Sequence, residues 1–90
     1  MSDVFIKTTE VEIGSDQKTV EVTAYVESGQ ITAGMNIKVE LNSLLTILLP
    51  ITQVIELGNN HVKLVVDCED NDSAQMVMGL NFTNEALVVS

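Results

Sequence analysis

The densest run of side chains able to do chemistry is Asp67-Cys68-Glu69-Asp70-Asn71-Asp72, which sets carboxylates, an amide and a thiol within six consecutive residues. Oxygen ligands at that density suit a hard cation such as calcium. An EF-hand loop, however, needs glycine at its sixth position and glutamate at its twelfth, and counting from Asp67 those places hold Asp72 and Met78. The bland reading is a solvated loop closing a strand, and no metal or other cofactor is expected. If a metal did bind, its ligands would be Asp67, Glu69, Asp70 and Asp72. Cys68 is the single cysteine and His61 the single histidine. Strand alternation puts these two on opposite faces, so a Cys-His nucleophile pair is not expected and Cys68 reads as a small buried hydrophobe. His61, beside Asn59 and Asn60, reads as part of a hairpin turn. Glu10, Glu12, Glu21 and Glu27 fall on wet strand faces, where nothing separates their environments into the acid and base roles that catalysis needs. No catalytic constellation is visible, and the chain is expected not to be an enzyme.

The elements that must position these residues are strands. Val20, Val22, Ala24 and Val26 alternate with Glu21, Thr23, Tyr25 and Glu27; Ile37, Val39 and Leu41 alternate with Asn36, Lys38 and Glu40; Val62, Leu64, Val66 and Cys68 alternate with His61, Lys63 and Asp67. Turn chemistry at Gly14-Ser-Asp16, Ser28-Gly29, Ala33-Gly34, Asn42-Ser43, Gly58-Asn-Asn60 and Glu69 to Ser73 separates the segments. Strands are expected at Val4 to Val11, Thr19 to Glu27, Asn36 to Leu41, Leu44 to Leu49, Thr52 to Leu57, His61 to Glu69, Gln75 to Leu80 and Ala86 to Val89. Gln75 to Leu80 is the ambiguous one: Ser73 could cap a short helix there, whereas Val77 and Gly79 favour a strand. The fold class expected is all-β, a single domain over 1–90 forming a small antiparallel barrel of about six to eight short strands.

Composition narrows the function classes. The 90 residues carry 46% hydrophobic but only 3% aromatic side chains, so the core must be aliphatic. A domain of this size buries about 60–70% of its unfolded surface and needs no disulfide or metal to hold it together. Phe5, Tyr25 and Phe82 are the only rings, too few to line a base-stacking groove. The net charge is −9, with lysine the sole basic type. Phosphate backbones and anionic membranes would be repelled, so neither direct nucleic-acid binding nor membrane association is expected. The N-terminal Met-Ser-Asp-Val-Phe-Ile-Lys lacks the basic start and apolar run of a signal peptide, and Leu44 to Ile51 is too short to span a bilayer; a cytoplasmic location is expected.

The segment Thr23 to Val39 resembles the β-barrel domain that follows the GTPase domain in translational GTPases of the elongation factor Tu type. The motif is an alternating strand, then Gly29-Gln-Ile31-Thr-Ala-Gly34, then Ile37-Lys-Val39, with Ile51-Thr-Gln-Val-Ile55, Val62 to Val66 and Leu87-Val-Val89 following at compatible spacing. Asn59-Asn60 and Glu85-Ala86 stand where that family usually carries glycine. The chain has no Gly-x-x-x-x-Gly-Lys-Ser/Thr phosphate loop, so the resemblance implies a stand-alone translation-protein-like barrel and not a GTPase. Independently of the family, Gly29 and Gly34 read as structural turns.

The function expected from these residues is a non-enzymatic binding or adaptor module acting on a protein partner, one that could be basic. Two alternatives stand beside it: an accessory of translation or ribonucleoprotein work, and an acidic mimic that inhibits a basic partner. Leu44, Leu45, Ile47 and Leu48 put apolar side chains on both faces of one strand, which means either a central place in the fold or a contact with another protein, a homo-oligomer included. With Glu21 and Glu27 on the wet face of their own strand, these are the candidate interaction residues.

Overall fold

The computed structural model describes residues 3–80 and 82–90, with Leu41 and Asn42 described by their backbone alone. Six strands, β1 (Val4–Ile13), β2 (Thr19–Ser28), β3 (Asn36–Asn42), β4 (Leu45–Gly58), β5 (His61–Asp67) and β6 (Ala86–Val89), form a closed antiparallel barrel in the order β1-β2-β5-β4-β3-β6. One helix, α1 (Asn71–Gly79), bridges β5 and β6. The core is aliphatic, with Val4, Ile6, Val20, Val22, Ile37, Leu64, Val66 and Val89 almost wholly buried.

Two bulges reconcile the hydrophobic pattern with the barrel. In β1, Val4, Ile6 and Thr8 face inward, and strict alternation would then bury Glu10 and Glu12. The register slips between Thr8 and Glu10, so Thr9 is the extra residue, and Val11 and Ile13 turn toward the core instead. In β4 the slip falls between Ile51 and Gln53, and it replaces Gln53 by Val54 on the inner face.

β4 corrects one expectation. The strands expected at Leu44 to Leu49 and Thr52 to Leu57 are one strand of 14 residues, Leu45–Gly58, running through Pro50, with Leu44 in the turn before it. Its first half pairs with β3 up to Asn36↔Pro50, and its second half pairs with β5 from Ile51↔Val66 onward. Ile51 donates its N–H to Met35 O on the β3 side, so by alternation the Pro50 nitrogen faces β5, beyond the point where that ladder begins. The proline therefore removes no ladder hydrogen bond.

Gln75 to Leu80 is the second correction: it lies in α1, not in a strand. Asp70, rather than Ser73, is the N-cap, and its carboxylate accepts the Ser73 N–H at 2.8 Å. Ala74 and Val77, one helical turn apart, bury the inner face against the barrel. The cap removes Glu69 from the strand expected to reach it, since β5 ends at Asp67. Eight expected strands thus become six and a helix. The expected inward facing of Leu41 lies outside the described residues.

The connection from α1 to β6 is latched to β1 by Thr8, the one buried polar residue among those described. Its hydroxyl donates to Phe82 O and accepts the Glu85 N–H at 3.0 Å, while the Thr8 N–H bonds Glu85 O at 2.9 Å. Gly29 and Gly34 turn the β2–β3 connection with φ of 93° and 99°. At Gly29 a Cβ would also lie 3.0 Å from Val4 Cγ2.

Candidate interaction cleft

The barrel closes weakly at one seam. β3 has seven residues and β6 only four, and the two share the partners Ile37↔Val89 and Lys38↔Val88, closed off by mutual backbone bonds between Asn36 and Ser90 at 2.7 and 2.9 Å. Alternation aims the backbone groups of residues 36, 38 and 40 at β6. Glu40 would next face Ala86, but no pairing joins them. Beyond Lys38 the strands diverge around a cleft of about 610 Å³, within the range of roughly 300–1,000 Å³ typical of binding sites.

The cleft has an apolar floor and a charged rim. Val39 and Phe82 are buried in its floor, and Leu80 and Leu87 are half-buried beside them. Asp3, Glu40 and Glu85 are exposed at its rim, and Lys38 sits where the strands are still paired. Among the described residues the single ion pair is Lys63–Glu21 at 3.4 Å, so the rim carboxylates are not neutralised by one another's neighbours. The Thr8 latch fixes Phe82 and Glu85, which form one wall.

None of the interaction residues read from the sequence lines this cleft. Leu44 is 94% exposed at the β3–β4 turn, and Leu45 and Leu48 are about half exposed (50% and 55%), while Ile47 is half-buried and Leu49 buried. The outward face of β4 is therefore not covered within the domain. Leu48 continues an outer row through the register pairs Leu48–Lys38–Val88–Phe5, which places two exposed apolar side chains at its ends. Glu21 and Glu27 lie on β2; Glu21 is held by Lys63, and Glu27 is exposed at the bulge beside the Phe5–Ser28 pair. The signal for the cleft was the length mismatch between the last strand and β3, which sequence alternation alone does not interpret.

The acidic run does not assemble a cation site: among the described residues no three His, Cys, Asp or Glu side chains are grouped to hold a metal. Asp67 accepts the Glu69 N–H at 3.0 Å and Asp70 caps α1, a bond that lowers the Asp70 carboxyl below its ordinary value. Cys68 is buried, and burial followed by the charges of Asp67 and Asp70 pushes its thiol up. His61 begins β5, stacks edge-on against Tyr25 at 5.4 Å, and its Nδ1 lies 3.1 Å from Asn59 O. Cys68 follows the far end of that strand, about 20 Å away at the usual rise per residue. Asn59 and Asn60 both take positive φ, 54° and 64°, as the two-residue hairpin requires.

A second hollow of about 270 Å³ lies between the Gly29–Ile31 connection and Val54, Glu56 and His61. The four lysines are spread over different elements: Lys7 lies on β1 opposite Ala86, Lys18 in the β1–β2 turn, Lys38 on β3 and Lys63 on β5, with β4 between the last two. No helix among the described residues is long and apolar enough to cross a membrane. Comparison with protein-family models, with curated proteins and with solved structures finds no match to this chain.

Proposed function

We propose that this chain is a binding or adaptor module, not an enzyme, and that it works through a protein partner seated in the β3–β6 cleft. The observation that carries the reading is the open seam itself: an unpaired strand edge, a concave and partly apolar lining, and exposed carboxylates occur together at one place. Such a combination supplies main-chain bonds for affinity and side-chain pockets for selectivity. The net charge of −9 also supports an alternative, an acidic mimic whose whole outer face meets a basic partner. The translation-linked role belongs to the resemblance at Thr23 to Val39 and rests on likeness of sequence motif alone.

Charge reversal separates the first two. The double variant Glu40→Lys/Glu85→Lys and the control Glu21→Lys/Glu27→Lys change net charge equally but on different faces. Captured partners from cell extract are to be compared for both against the unaltered chain. Loss confined to the first variant is the expected result. Equal loss in both would favour the mimic, and retention in both would refute the cleft.

A further inference from the structure

The geometry of the seam says more about the occupant than its charge does. On β3 beyond Lys38, the backbone of Glu40 points toward β6 and is met by nothing in the sheet. On β6 the corresponding residue, Ala86, is paired only on its β1 side, with Lys7. An open edge of this kind is a template for one more strand. The two faces of such a strand would meet different surroundings. Its inward side chains would lie over Val39, Phe82 and Leu87, and its outward ones beside Glu40, with Glu85 at the open end. Lys38 occupies the closed end of the fork, so positive charge on the guest belongs toward the Glu40 end.

We infer that the cleft takes an extended segment of a partner protein with alternating apolar and basic residues, which adds as a strand along the β3 edge at Glu40. This rests on the cleft reading above and specifies its partner. The charge complementarity is local: Glu40 and Glu85 stand at the open end, whereas Asp3, next to the Val4–Val89 pair, stands with Lys38 toward the closed one. Alternation matches because the inner face of the seam is apolar, while the outer one carries Glu40 beyond Lys38. The Thr8 latch keeps the Phe82–Glu85 wall in place, so the guest meets a preformed groove and little ordering cost is added.

The test uses the full chain, isotopically labelled, and three blocked short peptides: one alternating valine and lysine, the same peptide with backbone N-methylation at every residue that would face β3, and one alternating valine and glutamate. Amide shifts and hydrogen exchange are read across the chain at low and raised salt. The Val/Lys peptide is expected to shift and protect Glu40 above all other amides, with affinity falling as salt rises. N-methylation should weaken it by roughly tenfold or more, the equivalent of about two backbone hydrogen bonds. Glu40→Lys should weaken it several-fold, and the Val/Glu peptide should not bind. Equal binding of the methylated peptide, shifts centred on Glu10, Glu12, Glu21 or Glu27, or no binding of the Val/Lys peptide would each overturn strand addition. If the peptide fails while Glu40→Lys/Glu85→Lys still loses its captured partner, the cleft reading stands and only the mode of binding falls. If that variant also keeps its partner, both fall.

Discussion

Replacing Thr8 by valine removes one hydroxyl and almost no volume, and it tests whether the wall of the cleft is held as described. Thr8 is fully buried, and its hydroxyl joins Phe82 O and the Glu85 N–H, residues more than 70 positions away in sequence. One buried and one part-buried hydrogen bond are lost, each with a net worth of about 0.5–1.5 kcal/mol, and a group left wholly unpaired would cost about 1–3 kcal/mol. Glu85 N–H keeps a longer bond to Phe82 O at 3.3 Å, so neither group is fully orphaned and the lower part of that range applies. The expected loss is about 1–2 kcal/mol, or about 4–16 °C in Tm for a domain of this length. Urea and thermal unfolding measure it, and hydrogen exchange at Glu85 localises it. Thr8→Ser is the control: it sheds a buried methyl at a cost of about 1 kcal/mol but should leave Glu85 protected. Thr8→Val within about 0.5 kcal/mol of the unaltered chain, with Glu85 still protected, would refute the latch, since that is the scatter of ordinary surface changes.

The other expectations follow from single features. Gly29→Ala should cost more than Gly34→Ala by roughly 1 kcal/mol or more in urea unfolding, because both need positive φ but only Gly29 also faces Val4 at 3.0 Å, an overpacking penalty on top of the backbone one; equal losses would contradict it. The Asp70 carboxyl is lowered by the Ser73 N–H bond, so its contribution is present above the ordinary carboxyl value and is lost as pH falls through that value and below. Asp70→Asn keeps the cap but not the titration, and should show a flatter decline in stability between pH about 5 and 3 than the unaltered chain; parallel curves would assign the decline to other carboxyls. Cys68, buried with its thiol pushed up, should react with a thiol reagent at neutral pH far more slowly in the folded chain than in urea. Fast labelling of the native protein would show the site to be open.

Alternation made the barrel legible because one face of each strand is wet: β2 and β5 follow the expected pattern residue by residue. The glycine pair was legible for a local reason, since Gly29 and Gly34 both adopt backbone angles that side chains resist. The break expected between Leu49 and Thr52 is absent because a proline is tolerated in a strand when its nitrogen faces no ladder partner, and that is decided by where the β5 ladder starts. Gln75 to Leu80 read as a strand on the strength of Val77 and Gly79; the Asp70 cap and the burial of Ala74 and Val77 make it a helix. Leu44, Leu45 and Leu48 were visible as an excess of apolar residues, but their exposure was not. The cleft was the least legible feature, because it arises from unequal strand lengths and a latch between residues at opposite ends of the chain.

The central claim is that the β3–β6 cleft is where this protein meets its partner. The most direct test is a photo-reactive amino acid placed at Glu40, with a matched one at Glu12 on the exposed face of β1, followed by irradiation in cell extract and mass spectrometry of the adducts. The account predicts a discrete cross-linked protein from position 40, joined through a segment of alternating apolar and basic residues, and none in common from position 12. The same adducts from both positions, or none from position 40, would contradict it.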